Sequence, residues 1–231
     1  MQKRVGLLVP SSNTVMEVDF YRSLPPSVTV HTGRMYLVDT TVQGEERMLD
    51  VYTLPAAAAV GTANPDVVVF GCTSASALRG DAYCADLCRR ISEAAGAPTI
   101  SVIDAVREEL RAAGGATVAV LTPYVDELNQ RIKASVEADG FRVVAVHGMG
   151  ISHNFDIARV EPPQIVEFAR QRLGSRLPAD ILFVSCTNYR AVDALPRLRE
   201  LYGVPVVTSN QAALEAVRRA LSLPQKADIP R

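Results

Sequence analysis

The chain has 231 residues, of which 48% are hydrophobic and 21% are charged, and its formal net charge is -1. A chain of this size and composition can bury a substantial core, as one large domain or two small ones. The near-neutral balance, with a sequence pI near 6.3, leaves no basic surplus to neutralise phosphates. This argues against nucleic-acid binding and favours small molecules or proteins as partners.

Localisation is predicted from what the sequence lacks. Its apolar runs are broken well short of the ~20 residues that span a bilayer, and the first residues show no signal-peptide pattern. The four cysteines form no tight disulfide framework, which suits a reducing compartment. We therefore expect a cytoplasmic protein without membrane contact, whose thiols are free.

Eight short β-rich runs alternate with helix-like stretches from end to end. This alternation is typical of an α/β fold in which helices cover both faces of parallel sheets. The predicted strands are residues 4–9, 28–37, 67–71, 99–103, 117–121, 143–146, 181–185 and 206–208. The expected architecture is two Rossmann-like halves, each with about four strands.

The second half of the chain repeats the first. RVGLLVPSSN at residues 4–13 is echoed by TVAVLTPYVD at residues 117–126. The matched positions at strand ends are Pro10 with Pro123, Cys72 with Cys186 and Thr73 with Thr187. Resemblance between strands alone is ordinary in doubly wound proteins, but open α/β sheets bind ligands at strand ends. We therefore predict a duplicated unit, residues 1–113 and 114–231, with one site in the cleft between the halves; the C-terminal helix may pack back on the first half.

Two stretches that contain proline interrupt this pattern of strands and helices. Pro55 lies inside an otherwise helical stretch, residues 45–63, and is expected to kink or start a helix. The polar segment SLPQKADIPR at residues 222–231 is expected to be a loose tail.

Cysteine and hydroxyl residues follow one apolar strand in each half. Cys72 precedes Thr73 and Ser74 where a strand should turn into a helix. Free N–H groups and the macrodipole at such a helix start bind anions and lower a thiol pKa. Cys186, with Thr187 and Asn188, should repeat the arrangement. Either cysteine alone suits packing in the core, whereas the pair favours thiol chemistry.

Neutral donors cluster beside both cysteines. Ser11, Ser12 and Asn13 follow the first strand, where they could form a helix N-cap or hold a carboxylate. Tyr124, next to Thr122, offers an equivalent surface in the other half. Two such clusters suit a substrate with two carboxylates.

Other candidates carry weaker signals. The loop 148–156 contains His153 and Asn154 and could close over a cleft, although a surface histidine is the simpler alternative. Cys84 and Cys88, four residues apart, could bind a metal but are expected to pack against the sheet, because no complementary cluster lies nearby. Dinucleotide, Walker and G-x-S-x-G motifs are missing.

Taken together, PSSNT, GCTSAS, SCTNYR and TSNQA resemble the maleate cis-trans isomerase family within the aspartate/glutamate/hydantoin racemase superfamily. Their order along nearly the whole chain is the specific element. The resemblance implies two pseudo-symmetric halves, a site between them, no metal or organic cofactor, and a homodimer acting on a small dicarboxylate. It makes Cys72 the nucleophile, Cys186 its partner, and Asn13, Tyr124 and Asn154 carboxylate binders.

Departures within the superfamily narrow the expected reaction. Glutamate racemases have an aspartate after the first strand, where this chain has Pro10 to Asn13, and arylmalonate decarboxylases keep only the second cysteine. We therefore expect isomerisation of maleate to fumarate through a succinyl-cysteine. The alternatives are a two-cysteine racemase or decarboxylase acting on a related acid or hydantoin, and a non-catalytic sensor of small acids.

Overall fold

A computed structural model describes residues 2–223 as two parallel sheets covered by helices. The strands are β1 (Lys3–Pro10), β2 (Val28–Met35), β3 (Val67–Phe70), β4 (Thr99–Ser101), β5 (Thr117–Thr122), β6 (Arg142–Gly148), β7 (Ile181–Val184) and β8 (Val206–Thr208). The helices are α1 (Met16–Ser23), α2 (Val42–Arg47), α3 (Thr53–Gly61), α4 (Thr73–Leu78), α5 (Asp81–Ala95), α6 (Val102–Ala113), α7 (Asp126–Ala138), α8 (Asn154–Ala158), α9 (Pro162–Leu173), α10 (Ala191–Tyr202) and α11 (Ser209–Ala220). All but the first two residues of the predicted tail lie outside the described residues.

Both sheets have the same strand order. The first runs β2-β1-β3-β4 and the second β6-β5-β7-β8, and all pairs are parallel. Every residue of β3 and β7 is buried, as expected for short apolar strands with helices on both faces. The predicted α/β architecture of two four-stranded halves is confirmed.

All eight predicted strands are present, and the main difference lies at the end of β4. Residues 99–103 were predicted to be extended, yet α6 already begins at Val102. The hydroxyl of Ser101 accepts a hydrogen bond from the N–H of Asp104 at 3.1 Å. This N-cap starts the helix earlier than the apolar run indicates.

The stretch around Pro55 is a nearly continuous helical path. A π-helical segment, Met48–Tyr52, connects α2 to α3, and Pro55 is the third residue of α3. Proline is tolerated in a first helical turn because its missing N–H would have no partner there. The prediction that Pro55 lies near a helix start is confirmed.

The last helix of the second half, α11, packs against helices of the first half. α11 follows the second sheet but packs against α6 and α1 of the first half, and Arg219 of α11 pairs with Glu108 and Glu109 of α6. The proposed division after residue 113 stays a prediction. None of the helices within residues 2–223 is both long and apolar enough to cross a membrane.

Candidate active site

The first cysteine lies where β3 gives way to α4. Cys72 is the N-cap residue of α4, and its sulfur lies 3.9 Å from the hydroxyl of Ser74. Gly71 allows this close turn, since a Cβ there would lie 2.8 Å from the carbonyl oxygen of Leu8. The predicted strand-to-helix position of Cys72 is confirmed.

The second cysteine occupies a different local structure. Cys186 follows β7 in a turn, and α10 begins only at Ala191, so the prediction that it repeats the helix start was wrong. Its φ of 116° lies in a region that residues other than glycine rarely adopt, and such conformations concentrate at functional sites. The turn is held by hydrogen bonds from the Cys186 N–H to the Ser209 hydroxyl (3.1 Å) and from the Asn188 N–H to the Cys186 sulfur (3.3 Å).

The two thiols are close enough to influence each other and are nearly buried. Each cysteine is 5% exposed, and a charge on Cys186 raises the pKa of Cys72. Burial is the main cause of the raised pKa of Cys72, and the nearby Glu45 carboxyl raises it further. Burial also raises the pKa of Cys186, to about 12. The expectation of a lowered thiol pKa at the helix start was therefore wrong, because loss of solvation outweighs the N–H groups of α4.

Tyr124 joins this group from the end of β5. Its side chain is 1% exposed, and its hydroxyl is hydrogen-bonded to the sulfur of Cys186. This bond partly offsets the burial that raises the Cys186 pKa. Tyr124 is thus placed to stabilise a thiolate at Cys186.

Side chains predicted to bind substrate also join the two halves. The amide of Asn13 donates to the hydroxyl of Thr187 (3.0 Å), which donates to the carbonyl of Gly71 (3.0 Å). The hydroxyl of Thr73 donates to that of Ser209 (2.9 Å). All these hydroxyl and amide groups are buried. The strand ends of the two sheets therefore meet in one polar cluster, which places Cys72 and Cys186 together.

A second network closes the outer side of this cluster. Asn154 donates to the hydroxyl of Ser12 (2.8 Å) and accepts from that of Thr40 (3.0 Å), while its carbonyl accepts from Asn188 (2.7 Å). The hydroxyls of Ser11 and Ser12 both donate to the carbonyl of Leu37.

The loop predicted at residues 148–156 is shorter in the structure, because β6 ends at Gly148 and α8 begins at Asn154; residues 149–153 are held against the segment after β2. The N–H of Thr40 donates to the carbonyl of Ser152 (2.6 Å), and half-exposed His153 contacts the carboxylate of Asp39 at 3.2 Å. The loop therefore covers one side of the polar cluster.

Sequence reasoning missed two residues of the cluster, Glu45 and Ser209. Ser209 carried a signal, because it follows β8 within TSNQA, at the same sheet edge as the cysteines. Glu45 carried none, because an acid on a short helix ordinarily faces solvent. In the folded chain it is fully buried, accepts a hydrogen bond from Ser74, and has a pKa that burial raises to about 8.

The remaining cysteines are separate from this cluster. Cys84 and Cys88 lie on α5, where Cys84 is buried and Cys88 is partly buried against the core, as predicted. Residues 2–223 hold no group of three or more histidine, cysteine or acidic side chains arranged for a metal.

The chemical character of the polar cluster is a pair of thiols among neutral donors. Asn13, Asn154 and Asn188 each use only one side-chain N–H in the hydrogen bonds above. Such amide groups can receive carboxylate oxygens, while the thiols can add to a carbon or move a proton.

Comparison with known proteins identifies the family. The arylmalonate decarboxylase family model matches residues 5–229. The chain belongs to this family. The proteins similar to the chain include enzymes named for two different reactions.

Curated relatives match almost the whole chain. The maleate isomerase of Geobacillus stearothermophilus is 24% identical, covering 95% of this chain and 92% of its own. The arylmalonate decarboxylase of Bordetella bronchiseptica is 29% identical, covering 94% and 90%. A crystal structure of a cysteine-to-alanine variant of the maleate isomerase Iso from Pseudomonas putida S16 with maleate superposes with a TM-score of 0.89, at 25% identity, over 96% of this chain and 93% of that one. Two four-stranded α/β halves are thus the shared fold.

Proposed function

We propose that the protein is a cofactor-independent cis-trans isomerase that converts maleate to fumarate through a succinyl-cysteine. The observation that carries this proposal is the meeting of Cys72 and Cys186, from opposite halves, in one buried cluster of neutral donors. Support also comes from the maleate isomerases among the similar proteins.

The reaction begins when Cys72, having lost its proton to solvent, adds to one vinylic carbon as a thiolate. The C–S bond forms while the π electrons of the double bond take the proton of the Cys186 thiol at the neighbouring carbon. The products of this step are a succinyl-cysteine at Cys72 and a thiolate at Cys186. Tyr124 and the N–H of Asn188 stabilise that thiolate by hydrogen bonds.

The carbon–carbon double bond of maleate is now a single bond, and rotation about it brings the two carboxylates from the cis to the trans arrangement. The Cys186 thiolate takes back the proton, the electrons of that C–H bond re-form the double bond, and the C–S bond breaks; fumarate leaves with Cys186 as a thiol and Cys72 as the thiolate that it was before addition. Asn13, Asn154 and Asn188 hold the carboxylates through their remaining amide N–H groups, with Thr73, Ser74 and Thr187 beside them. The side chains of Ser11 and Ser12 support this binding through Leu37 and Asn154.

Two measurements on the full chain test this proposal. Proton NMR should show stoichiometric conversion of maleate to fumarate without added metal or cofactor. Intact-mass spectrometry during turnover should show an adduct of one maleate, mapped to Cys72. No conversion of maleate at any pH from 6 to 9 would contradict the proposal.

The second candidate is a racemase or decarboxylase that uses the same thiols for proton transfer. The 29% identity to an arylmalonate decarboxylase favours it, although that reaction needs no covalent bond to sulfur. Release of carbon dioxide from an arylmalonate, or deuterium entry from heavy water into a saturated acid or hydantoin, without conversion of maleate, would favour this alternative.

We also propose that the protein is a homodimer and is located in the cytoplasm. Light scattering on the purified full chain tests the first of these, since a dimer has twice the 24.9 kDa of the chain.

A further inference from the structure

A buried carboxyl group faces the two cysteines, and the proposed reaction does not use it. Glu45 lies on α2 (Val42–Arg47) and is 0% exposed. Its Oε1 accepts a hydrogen bond from the hydroxyl of Ser74. Its Oε2 is buried and has no hydrogen-bond partner. A polar atom left in this state needs either a ligand or a neutral form to offset its lost solvation.

The electrostatic influence of Glu45 locates it within the site. Its negative charge raises the pKa values of Cys72, Cys186 and Tyr124, which come from different loops. The carboxyl therefore faces the space that these three side chains share. That space is where the proposed reaction needs its substrate.

In the described part of the chain, Glu45 has no cation beside it. Among residues 2–223, no lysine or arginine forms an ion pair with Glu45. The neighbouring Glu46 instead lies 3.9 Å from Arg79, whose guanidinium is also paired with Asp50. Burial without a cation keeps the acid neutral below about pH 8, because the pKa of Glu45 is raised to about 8.

A neutral carboxylic acid has an O–H group to donate, whereas its ionised form only accepts and repels anions. The proposed substrate has two carboxylates and finds only uncharged donors among the asparagine, threonine and serine side chains of the cluster. We propose that Glu45 is a substrate-binding residue, whose neutral carboxyl donates a hydrogen bond from Oε2 to a carboxylate of the bound acid. This assignment rests on the proposed function for its substrate class.

Binding of a dicarboxylate is then coupled to one proton. The groups facing Glu45 are Ser74 and Cys72 from α4, Cys186 from the turn after β7, and Tyr124 from the end of β5. Burial holds the pKa values of both thiols and of the tyrosine well above that of Glu45. Loss of binding between pH 8 and pH 10 would therefore report on Glu45 alone among them.

Succinate is a suitable probe, because it has two carboxylates and no double bond to react. Calorimetric titration of the full chain at pH 6.5, 7.5, 8.5 and 9.5, in two buffers of different ionisation enthalpy, measures affinity and proton uptake. In the wild type, affinity should fall by about tenfold per pH unit above about pH 8, with uptake approaching one proton. Glu45→Gln keeps a donor that cannot ionise, so its affinity should be flat with pH.

Two further variants complete the design. Glu45→Leu removes the donor and should weaken succinate binding about tenfold at pH 6.5. Glu46→Gln, at the exposed neighbouring position, should follow the wild-type pH dependence. Thermal unfolding of each variant confirms that the comparison is between folded proteins.

The outcomes separate this inference from the proposed reaction. A pH-dependent fall that persists in Glu45→Gln, or wild-type affinity in Glu45→Leu, would overturn the role of Glu45 while leaving maleate conversion intact. Flat binding in Glu45→Gln, without conversion of maleate by the wild type, would support Glu45 and reject the isomerase. Failure of the wild type to bind succinate at any pH would overturn the role of Glu45, whereas the isomerase stands or falls on conversion of maleate.

Discussion

The loops that bear the two cysteines differ more than the sheets that support them. The strand order is identical in the two halves, but Cys72 starts a helix and Cys186 lies in a turn at φ 116°. After burial, the charge of Glu45 is the largest influence on the pKa of Cys72, although the Ala75 N–H and the Ser74 hydroxyl lower that pKa. For Cys186, the largest influences after burial are hydrogen bonds from Tyr124 and the Asn188 N–H. The two halves therefore share one scaffold, while the chemical surroundings of their sulfurs differ.

This difference suits the two thiols to different steps. A thiolate at Cys72 is poorly stabilised, chiefly because burial disfavours its charge, and a more basic thiolate is a stronger nucleophile. A thiolate at Cys186 is stabilised by three donors, the Tyr124 hydroxyl and the N–H groups of Asn188 and Tyr189, until it takes back a proton. The surroundings thus favour addition by Cys72 and proton transfer by Cys186.

The largest expected effect comes from replacing each sulfur in turn. Cys72→Ser and Cys186→Ser should each lower kcat for maleate by roughly 10³-fold or more. Mass spectrometry should find an adduct on Cys72 in slow Cys186→Ser, and none in Cys72→Ser. Wild-type turnover in either variant, or an adduct that appears only on Cys186, would reverse or remove the assignment.

The next effect concerns stability near Cys72. Folding raises the pKa of Glu45 from 4.5 to about 8, so its contribution to stability is present below pH 4.5 and is lost as the pH rises to about 8. Glu45→Gln does not ionise and should be more stable than the wild type by roughly 4 to 5 kcal/mol at pH 8.5, against under about 1 kcal/mol at pH 5.

Urea unfolding of both proteins at pH 5 and 8.5 measures this difference. Asp19, a second buried carboxyl, has a pKa raised to about 6. Its effect on the free energy of unfolding therefore changes mainly below pH 6, well below the pH 8.5 at which the two proteins are compared. Equal stability of the two proteins at pH 8.5 would show that Glu45 ionises freely in the folded state.

A smaller effect is expected on the Cys186 side. Tyr124→Phe removes the hydroxyl that is hydrogen-bonded to the Cys186 sulfur and should raise the pKa of that thiol. The activation free energy should rise by about 2 kcal/mol, which lowers kcat. The control is Tyr202→Phe. The hydroxyl that this variant loses donates to the carbonyl of Gly174, and neither residue belongs to the polar cluster around the cysteines. A rate for Tyr124→Phe equal to that of Tyr202→Phe would show that Cys186 needs no help from Tyr124.

The smallest effect tests the contact between the two cysteine loops. Thr187→Val removes the buried hydroxyl that bonds both Asn13 and Gly71, and should lower the free energy of unfolding by about 1 to 2 kcal/mol. Thr62→Val, which loses an exposed hydroxyl bond to Ala59, should change it by under about 0.5 kcal/mol. Equal effects in urea unfolding would show that the bridge adds no stability.

Much of this molecule could be predicted before its coordinates, and the exceptions have a common cause. Apolar runs such as Val67–Phe70 mark buried strands, because strand composition reports burial locally. The early start of α6 depended on one side-chain bond at Ser101, and the turn at Cys186 on a distant hydroxyl, Ser209. The spacing of motifs along the sequence predicts neither of these hydrogen bonds.

The amino-acid sequence by itself determined the alternation of strands and helices, the likeness of the two α/β halves, and the position of Cys72 at a strand end. These follow from local periodicity and from the rule that parallel strands direct their ends to one edge. Only the tertiary structure decided that both thiols lose their solvation and that Glu45 is buried beside them. Burial and electrostatic contact arise between segments far apart in the chain, and they set the protonation states on which the proposed chemistry depends.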